Sequence, residues 1–396
     1  MRTPARPLTA AVAAVLGAGL IGLSLQPAPA AEPVSRAVTG VTVRMLPQLA
    51  HAGPTPDKPK KALAALEVQV EPAEPAVALR LQVHTAQGWR TVGTGQTDAG
   101  GQAVLEAEAT LDGKPATYRV KAGEVRSAPT DAAVWLKPTF TDTFAGKRLS
   151  KVWKNRVTGY NPKGLRACSR GSAKAVTVAE GVVRLSVLKD PARDDLCTVQ
   201  HSDGVTRQHA YRLNGNISTE GAFSYRYGFA AARIKFPRLR GQHGGFWLQP
   251  LPKVPGKWGP TWTGAEVDII ESFGAAAEGG GLASFTYHWA KAHVRVKTGG
   301  PLANQRSYLA NRKDAWHRNF HVFSLEWSPT VYIFRIDGQE TWRSYEGISG
   351  IGEFPILSLL SSDYELPRLA DSKLPQHMYV DWVRVWQDPT GANLAH

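Results

Sequence analysis

Glu266-Val267-Asp268-Ile269-Ile270-Glu271 places three carboxylates within six residues, separated by apolar side chains. Two carboxyl groups held close together in different protonation states are what hydrolysis of a glycosidic bond requires. The plainer readings of such a cluster are solvated surface or a cation site. Its setting favours chemistry: apolar residues stand between the acids, and Trp262 and Phe273 stand before and after them. A run of Val and Ile this short reads as a strand, whose side chains alternate between two faces. Glu266 and Asp268 then share one face while Val267 and Ile269 enter a core. Strict alternation would send Glu271 to the apolar side, at a cost of several kcal/mol for an unpaired carboxylate. One extra residue, a β-bulge around Ile269-Ile270, returns Glu271 to the face of the other two, and bulges concentrate beside active sites.

The elements that must position these acids are strands throughout. From Thr139 onward the chain holds ten of its twelve tryptophans and a succession of strand patterns, among them 183–187, 323–327, 332–336 and 379–385. The Asp337-Gly338 pair after one of them is a tight-turn signal. No amphipathic helix of three turns and no strand–helix alternation appears, so the expected architecture is an all-β jelly-roll sandwich with one sheet curved into a concave face. Residues 32–138 have a different texture, rich in Ala, Val and Pro, with short alternating strands at 66–70, 77–83 and 118–120 around the turn cluster 97–101. That spacing predicts a smaller, immunoglobulin-like β-sandwich. Its reading as a spacer stands beside one as a carbohydrate-binding module, with Trp89 as the obvious platform, and 52–61 reads as a loose loop within it. Residues 389–396 are left as a C-terminal tail.

The start of the chain speaks to location. Arg2 and Arg6 precede an apolar run from about Leu8 to Leu25, and Ala28-Pro29-Ala30 offers small residues for cleavage. This has the form of a secretory signal, similar to bacterial export signals, occupying 1–31, and the mature chain is expected outside the cell. No later stretch is apolar enough to span a bilayer, so membrane insertion is not expected. Cys168 and Cys197 are the two cysteines, and in an oxidising compartment an even, sparse count points to one disulfide. Removing the signal takes two arginines from a formal net charge of +14, leaving +12. The basic residues are scattered and form no recognition helix, which argues against a nucleic-acid partner and leaves affinity for acidic polysaccharide or a merely soluble basic surface.

The segment from about Thr139 to Gln387 resembles glycoside hydrolase family 16, the laminarinase and lichenase group, with its concanavalin A-like jelly roll. Glu266, Asp268 and Glu271 match the bulged form, Glu-x-Asp-x-x-Glu, of that family's central motif. Phe140-Thr141-Asp142-Thr143-Phe144 with Trp153, the 215–219 and 227–237 segments, Phe246-Trp247, Tyr287-His288-Trp289 and the 379–385 strand follow in the family's order. The chain departs from laminarinase-like members at His243-Gly244-Gly245, where they usually read Trp-Pro-Ala, and Trp262 stands four residues before Glu266 rather than five. The resemblance implies a retaining endo-acting hydrolase of β-1,3- or mixed-linked β-glucan, or of an agar- or carrageenan-type galactan. It casts Glu266 as nucleophile, Glu271 as general acid/base, and Asp268 as a hydrogen-bonding partner that orients Glu266. Trp247 and Trp262 become either sugar platforms or core tryptophans, and His288 either a sugar or Glu271 partner or an interior histidine. Arg233 reaches a sugar hydroxyl or pairs with a carboxylate. Asp381 resembles a position that helps hold structural calcium in some members, or is an ordinary strand-end Asp. The chemistry requires no cofactor, the partner expected is a polysaccharide, and the expected state is a monomer. A non-catalytic carbohydrate-binding protein on the same fold is the alternative from another class.

Overall fold

Alternating burial builds the first half of the chain. In the strand Ala78–Thr85, Leu79, Leu81 and Val83 are buried while Ala78 and Arg80 face water. This strand pairs with Gly88–Gln96 and Thr117–Ala122 in one sheet, and Gly40–Ala50, Leu63–Glu71 and Gln102–Ala107 form a second. The two sheets close on a core that includes Val68, Val70, Leu79, Leu81 and Val120. The computed structural model describes residues 37–201, 203–275, 277 and 281–396, and Ala37–His396 is one compact unit. The expected secretory signal lies outside the described residues.

The second half is all β, as its patterning requires. Its strands run in the order Val294–Pro301, Leu282–Lys291, Ala265–Ser272, His243–Pro250, Glu353–Leu360, Arg212–Ser218, Val182–Lys189, Gln376–Gln387, Gly228–Lys235, His321–Trp327, Tyr332–Ile336 and Gln339–Ser344. The sheet folds back on itself, so that Phe246, Val267, Ile269 and Leu357 from the first six strands meet Ala230, Phe323, Leu325 and Val383 from the last six in one core. This is the jelly-roll sandwich. Asp337 and Gly338 both take positive φ between Tyr332–Ile336 and Gln339–Ser344, as a two-residue hairpin turn demands. Among the described residues the helical pieces run to six residues at most, and no helix is long and apolar enough to cross a membrane.

The rear sheet is buried on both sides, which alternation alone does not announce. In Gly228–Lys235, Ala230, Ala232 and Ile234 enter the sandwich core, whereas Phe229 and Ala231 pack outward with Val322, Trp382 and Trp386 against Leu46, Leu49, Ala65 and Trp135 of the first half. A buried ionic network ties the same surfaces: Arg44 donates to Glu326 at 2.5 Å and to Glu67 at 2.6 Å, and Arg335 bridges Glu67 and Glu326. The 52–61 segment is correspondingly held rather than loose. Gly53 pairs with Phe320, and the Asp57 backbone N–H donates to Asp381 at 3.0 Å. The terminal residues are held too, with Leu394 buried and the Ala395 N–H donating to Glu326. Cys168 and Cys197 form the expected disulfide, tying the Ser169–Gly171 approach to the hairpin Leu196–Gln200/Thr206–Ala210. In the chain-entropy account, a loop of this length stabilises the fold by about 3–4 kcal/mol.

Candidate active site

The three acids lie on one face of the strand Ala265–Ser272, and a bulge puts them there. The neighbouring strand His243–Pro250 pairs without interruption to Glu353–Leu360, so it alternates regularly, with Gly245, Trp247 and Gln249 on one side. Across the ladder Trp247 faces Asp268 and Gly245 faces Glu271, with a register shift between them. Residues opposed in an antiparallel ladder share a face, so Asp268 and Glu271 point the same way although they stand three positions apart. The other neighbour, Leu282–Lys291, shows the same shift between Asp268 and Glu271. The extra residue lets Val267, Ile269 and Ile270 all enter the core. Ser284 Oγ donates to the bulged Ile269 carbonyl at 2.8 Å, satisfying a group the ladder leaves free.

Reading across the strands gives the composition of this face. One row runs Gln249, Glu266, Tyr287, Lys297 and the next Trp247, Asp268, Phe285, Gly299. Glu266 accepts from Arg295 Nη2 at 3.1 Å and from Gln249 Nε2 at 3.5 Å. Asp268 is buried, and its Oδ2 has no hydrogen-bond partner among the described residues. No hydrogen bond joins Asp268 to Glu266 among the described residues; Arg295 and Gln249 hold Glu266. Burial, with Glu271 and Glu266 close by, pushes the Asp268 carboxyl well above the usual carboxylate range. Burial also raises Glu271, helped by Glu365 and Glu266 and opposed by His243 and Lys297. A carboxyl group kept protonated beside an ion-paired carboxylate is the division of labour that acid-assisted displacement needs.

A second buried pair borders Glu271. His243 Nδ1 lies 2.7 Å from Glu365 Oε2, its ring packs 5.6 Å from that of Phe273, and it stands diagonally across the ladder from Glu271. Burial lowers the affinity of His243 for its proton, but Glu365 more than offsets that and holds it above the usual histidine value. Behind the start of the acid strand, buried Glu353 accepts the Ala265 N–H at 3.1 Å and is pushed up to about 8 by burial.

The aromatic residues divide. Trp247 is half-buried on the acid face, donating Nε1–H to Ser358 Oγ at 3.0 Å. Trp262 is exposed on the single-turn helix Pro260–Thr263, in the loop just before the acid strand, and Trp258 of the same loop is exposed too. Two expected site residues are elsewhere. His288 pairs with Ala265 and alternates with Tyr287 and Trp289, so it points away from the acids, packed where Gly347 leaves room for its ring. Tyr287, opposite Glu266, occupies the place on the cleft face. Arg233 lies on the outer side of the rear sheet, donating to His51 O, Thr55 O and Asp381 Oδ2. Asp381 is thereby held by the Arg233 guanidinium. Tyr287, Arg295, Gln249, Arg156 and Trp258 were not singled out from the sequence. Counting by twos from Trp247 reaches Gln249, but nothing local reveals which strand pairs with which.

Comparison with known proteins gives the following. The profile of "Glycosyl hydrolases family 16" matches residues 174–383. The alpha subunit of clotting factor G from Tachypleus tridentatus is 24% identical over 44% of this chain and 25% of its own length. Gram-negative bacteria-binding protein 3 from Drosophila melanogaster is 24% identical over 55% of this chain and 47% of its own length. The chain therefore spans about a quarter and about half of these two curated relatives. Among solved structures, an endo-β-1,3-glucanase from Pyrococcus furiosus is 18% identical with a TM-score of 0.48, covering 69% of this chain and 95% of that one. The catalytic domain of an endo-1,3-β-glucanase from Thermotoga petrophila is 19% identical with a TM-score of 0.47, covering 64% and 98%.

Proposed function

The chain belongs to glycosyl hydrolases family 16, and from that premise we propose that it is a secreted, retaining endo-β-glycanase acting on a β-1,3- or mixed-linked β-glucan backbone. The observation that carries this reading is the bulge that puts Glu266, Asp268 and Glu271 on one face while burial raises Glu271. Glu266 attacks the anomeric carbon as the carboxylate, and its bond to the sugar forms as the glycosidic C–O bond breaks. Glu271 gives its proton to the departing oxygen, then takes a proton from the water that hydrolyses the glycosyl-enzyme. Such an exchange needs the two carboxyl groups about 5–5.5 Å apart, which neighbours on one strand face supply. Asp268, whose proton is held more tightly by burial and by its carboxylate neighbours, stands beside Glu266 to orient it. The open row of side chains across the strands suits the interior of a polymer better than its end. The Cys168–Cys197 bond supports an oxidising compartment.

The test uses two variants. Glu271→Gln keeps size and reach but cannot protonate a poor leaving group, so polymer hydrolysis falls by about 10²–10⁴. Azide then restores turnover of an aryl β-glycoside and gives a glycosyl azide of retained configuration. Glu266→Ala with azide gives the inverted product. Identical behaviour of the two variants rejects these roles. The name of the Drosophila relative supports a second reading, a glycan-recognition protein without catalysis. Both terminal glutamates of the motif are present here, which favours hydrolysis; polymer retention with no new reducing ends would favour binding alone.

A further inference from the structure

We infer that the cleft is built for a β-glycan chain carrying anionic substituents, such as carboxylate or sulfate ester groups, bound through cations that rest on its aromatic platforms. The inference rests on reading the acid face as a polysaccharide site. Five cations lie along that face and in the loop leading into it, each over an aromatic ring. Arg156 stands 5.5 Å from the Trp247 ring centre, Arg295 3.7 Å from Tyr287 and Lys297 4.1 Å from Phe285. In the 251–264 loop, Lys253 stands 3.8 Å from Trp258 and Lys257 3.7 Å from Trp262, and that loop contains no acid at all.

The cations on the face have acids close by: Arg295 is paired to Glu266, Glu220 and Glu266 stand near Arg156, and Lys297 stands near Asp268 and Glu271, whereas Lys253 and Lys257 in the loop have no such neighbour among the described residues. Among the described residues, no carboxylate lies within ion-pair distance of Lys253, Lys257, Lys297 or Arg156. Two of the three cleft acids are moreover held toward their neutral forms. The loop leading into the cleft is therefore positive where a sugar chain would enter, and low-dielectric walls strengthen its field.

The arrangement distinguishes neutral from charged sugars. An uncharged pyranose reaching these rings must displace the ammonium or guanidinium above them and gives it nothing in return beyond hydroxyl contacts. A ring bearing a carboxylate or sulfate offers the displaced cation a charge-assisted hydrogen bond, stronger than a neutral one. Exposed charges of this kind act through encounter rate and salt-sensitive affinity.

The experiment compares β-1,3-glucan with the same polymer lightly carboxymethylated, using the whole mature chain at low and at about 0.3 M salt, where the Debye length shrinks to a few Å. The expected result is a kcat/KM ratio, anionic over neutral, of about five or more at low salt, collapsing toward one at high salt. In Lys253→Gln/Lys257→Gln the ratio falls several-fold, whereas Lys60→Gln/Lys114→Gln, remote from the cleft, does not change it. A ratio at or below one, insensitivity to salt, or an equal fall in the remote variant overturns the inference. Should neither polymer be cleaved, the β-glucan assignment fails on its own. Affinity electrophoresis of the same proteins then decides the inference, with greater retardation by the carboxymethyl polymer expected and equal retardation overturning it.

Discussion

His243 and Glu365 lie 2.7 Å apart on the Glu271 flank of the cleft, at the position where this chain departs from the pattern of laminarinase-like relatives. The groups facing Glu271 are Asp268 and Glu266 on its own strand, His243 and Glu365, Tyr364 on the same turn as Glu365, and Lys297. A protonated imidazole beside Glu271 favours its anion and so opposes the effects of burial and of the other carboxylates. Removing that charge leaves burial less opposed, and the Glu271 proton is held to higher pH. His243→Gln, which can still donate to Glu365, is therefore expected to move the alkaline limb of kcat/KM upward by several tenths of a pH unit or more. A pH–rate profile reads this directly. A uniform loss of rate with no displacement of the limb would make His243 a packing residue only.

At the scale of the element, the bulge sorts the side chains of the acid strand. Ile269 is the residue left over by the ladder on the Trp247 side. Deleting it produces a regular strand in which alternation alone keeps all three acids on the cleft face. The deletion removes a buried side chain, at a cost of about 2–5 kcal/mol, yet activity of at least about 1% is expected to survive because the catalytic face stays assembled. Deleting Val267 costs comparable packing but throws Asp268 and Glu271 to opposite sides from Glu266, and activity is expected to vanish. Thermal melts with initial rates on both variants check the contrast; equal loss in the two would mean that the bulge sets something other than facing.

Over the whole molecule, the first half is fastened to the rear sheet by apolar packing and by an ionic network in which Arg44 and Glu67 are partly buried and Glu326 and Arg335 fully so. Glu326 is fully buried; burial alone would raise it, but Arg335 and Arg44 overcome that and hold it down at about 2. A carboxyl group lowered from about 4.5 contributes stability that is present above that pH and lost as pH falls toward 2. For Glu326 this amounts to about 3 kcal/mol. The melting temperature is thus expected to drop through that window, and Glu326→Gln to flatten the drop while lowering stability at neutral pH. Residues 139–396 expressed alone would expose Phe229, Trp382 and Trp386 and lose Arg44 and Glu67. Aggregation, or a melting temperature lower by about 10 °C or more, is expected. A truncated protein as stable as the mature chain would show that the first half is merely tethered.

The sequence by itself determined the strands, the tight Asp337-Gly338 turn, the disulfide partners and the facing of the three acids. Each of these follows from a local rule: period-two alternation, turn chemistry, an even cysteine count, and the cost of sending Glu271 into a core. It did not determine which strands become neighbours, because pairing in an antiparallel sandwich joins residues far apart in the chain. Even Tyr287 and Arg295, which came to Glu266 from the next two strands, depended on the register of those pairings, and His288, next door in sequence, was turned away by the pleat. Arg233 and Asp381 show the same limit. Their strands alternate as a one-sided sheet would, and only the docking of residues 37–138 on the outer face buried Arg233, a candidate cleft group, in an ion pair with Asp381.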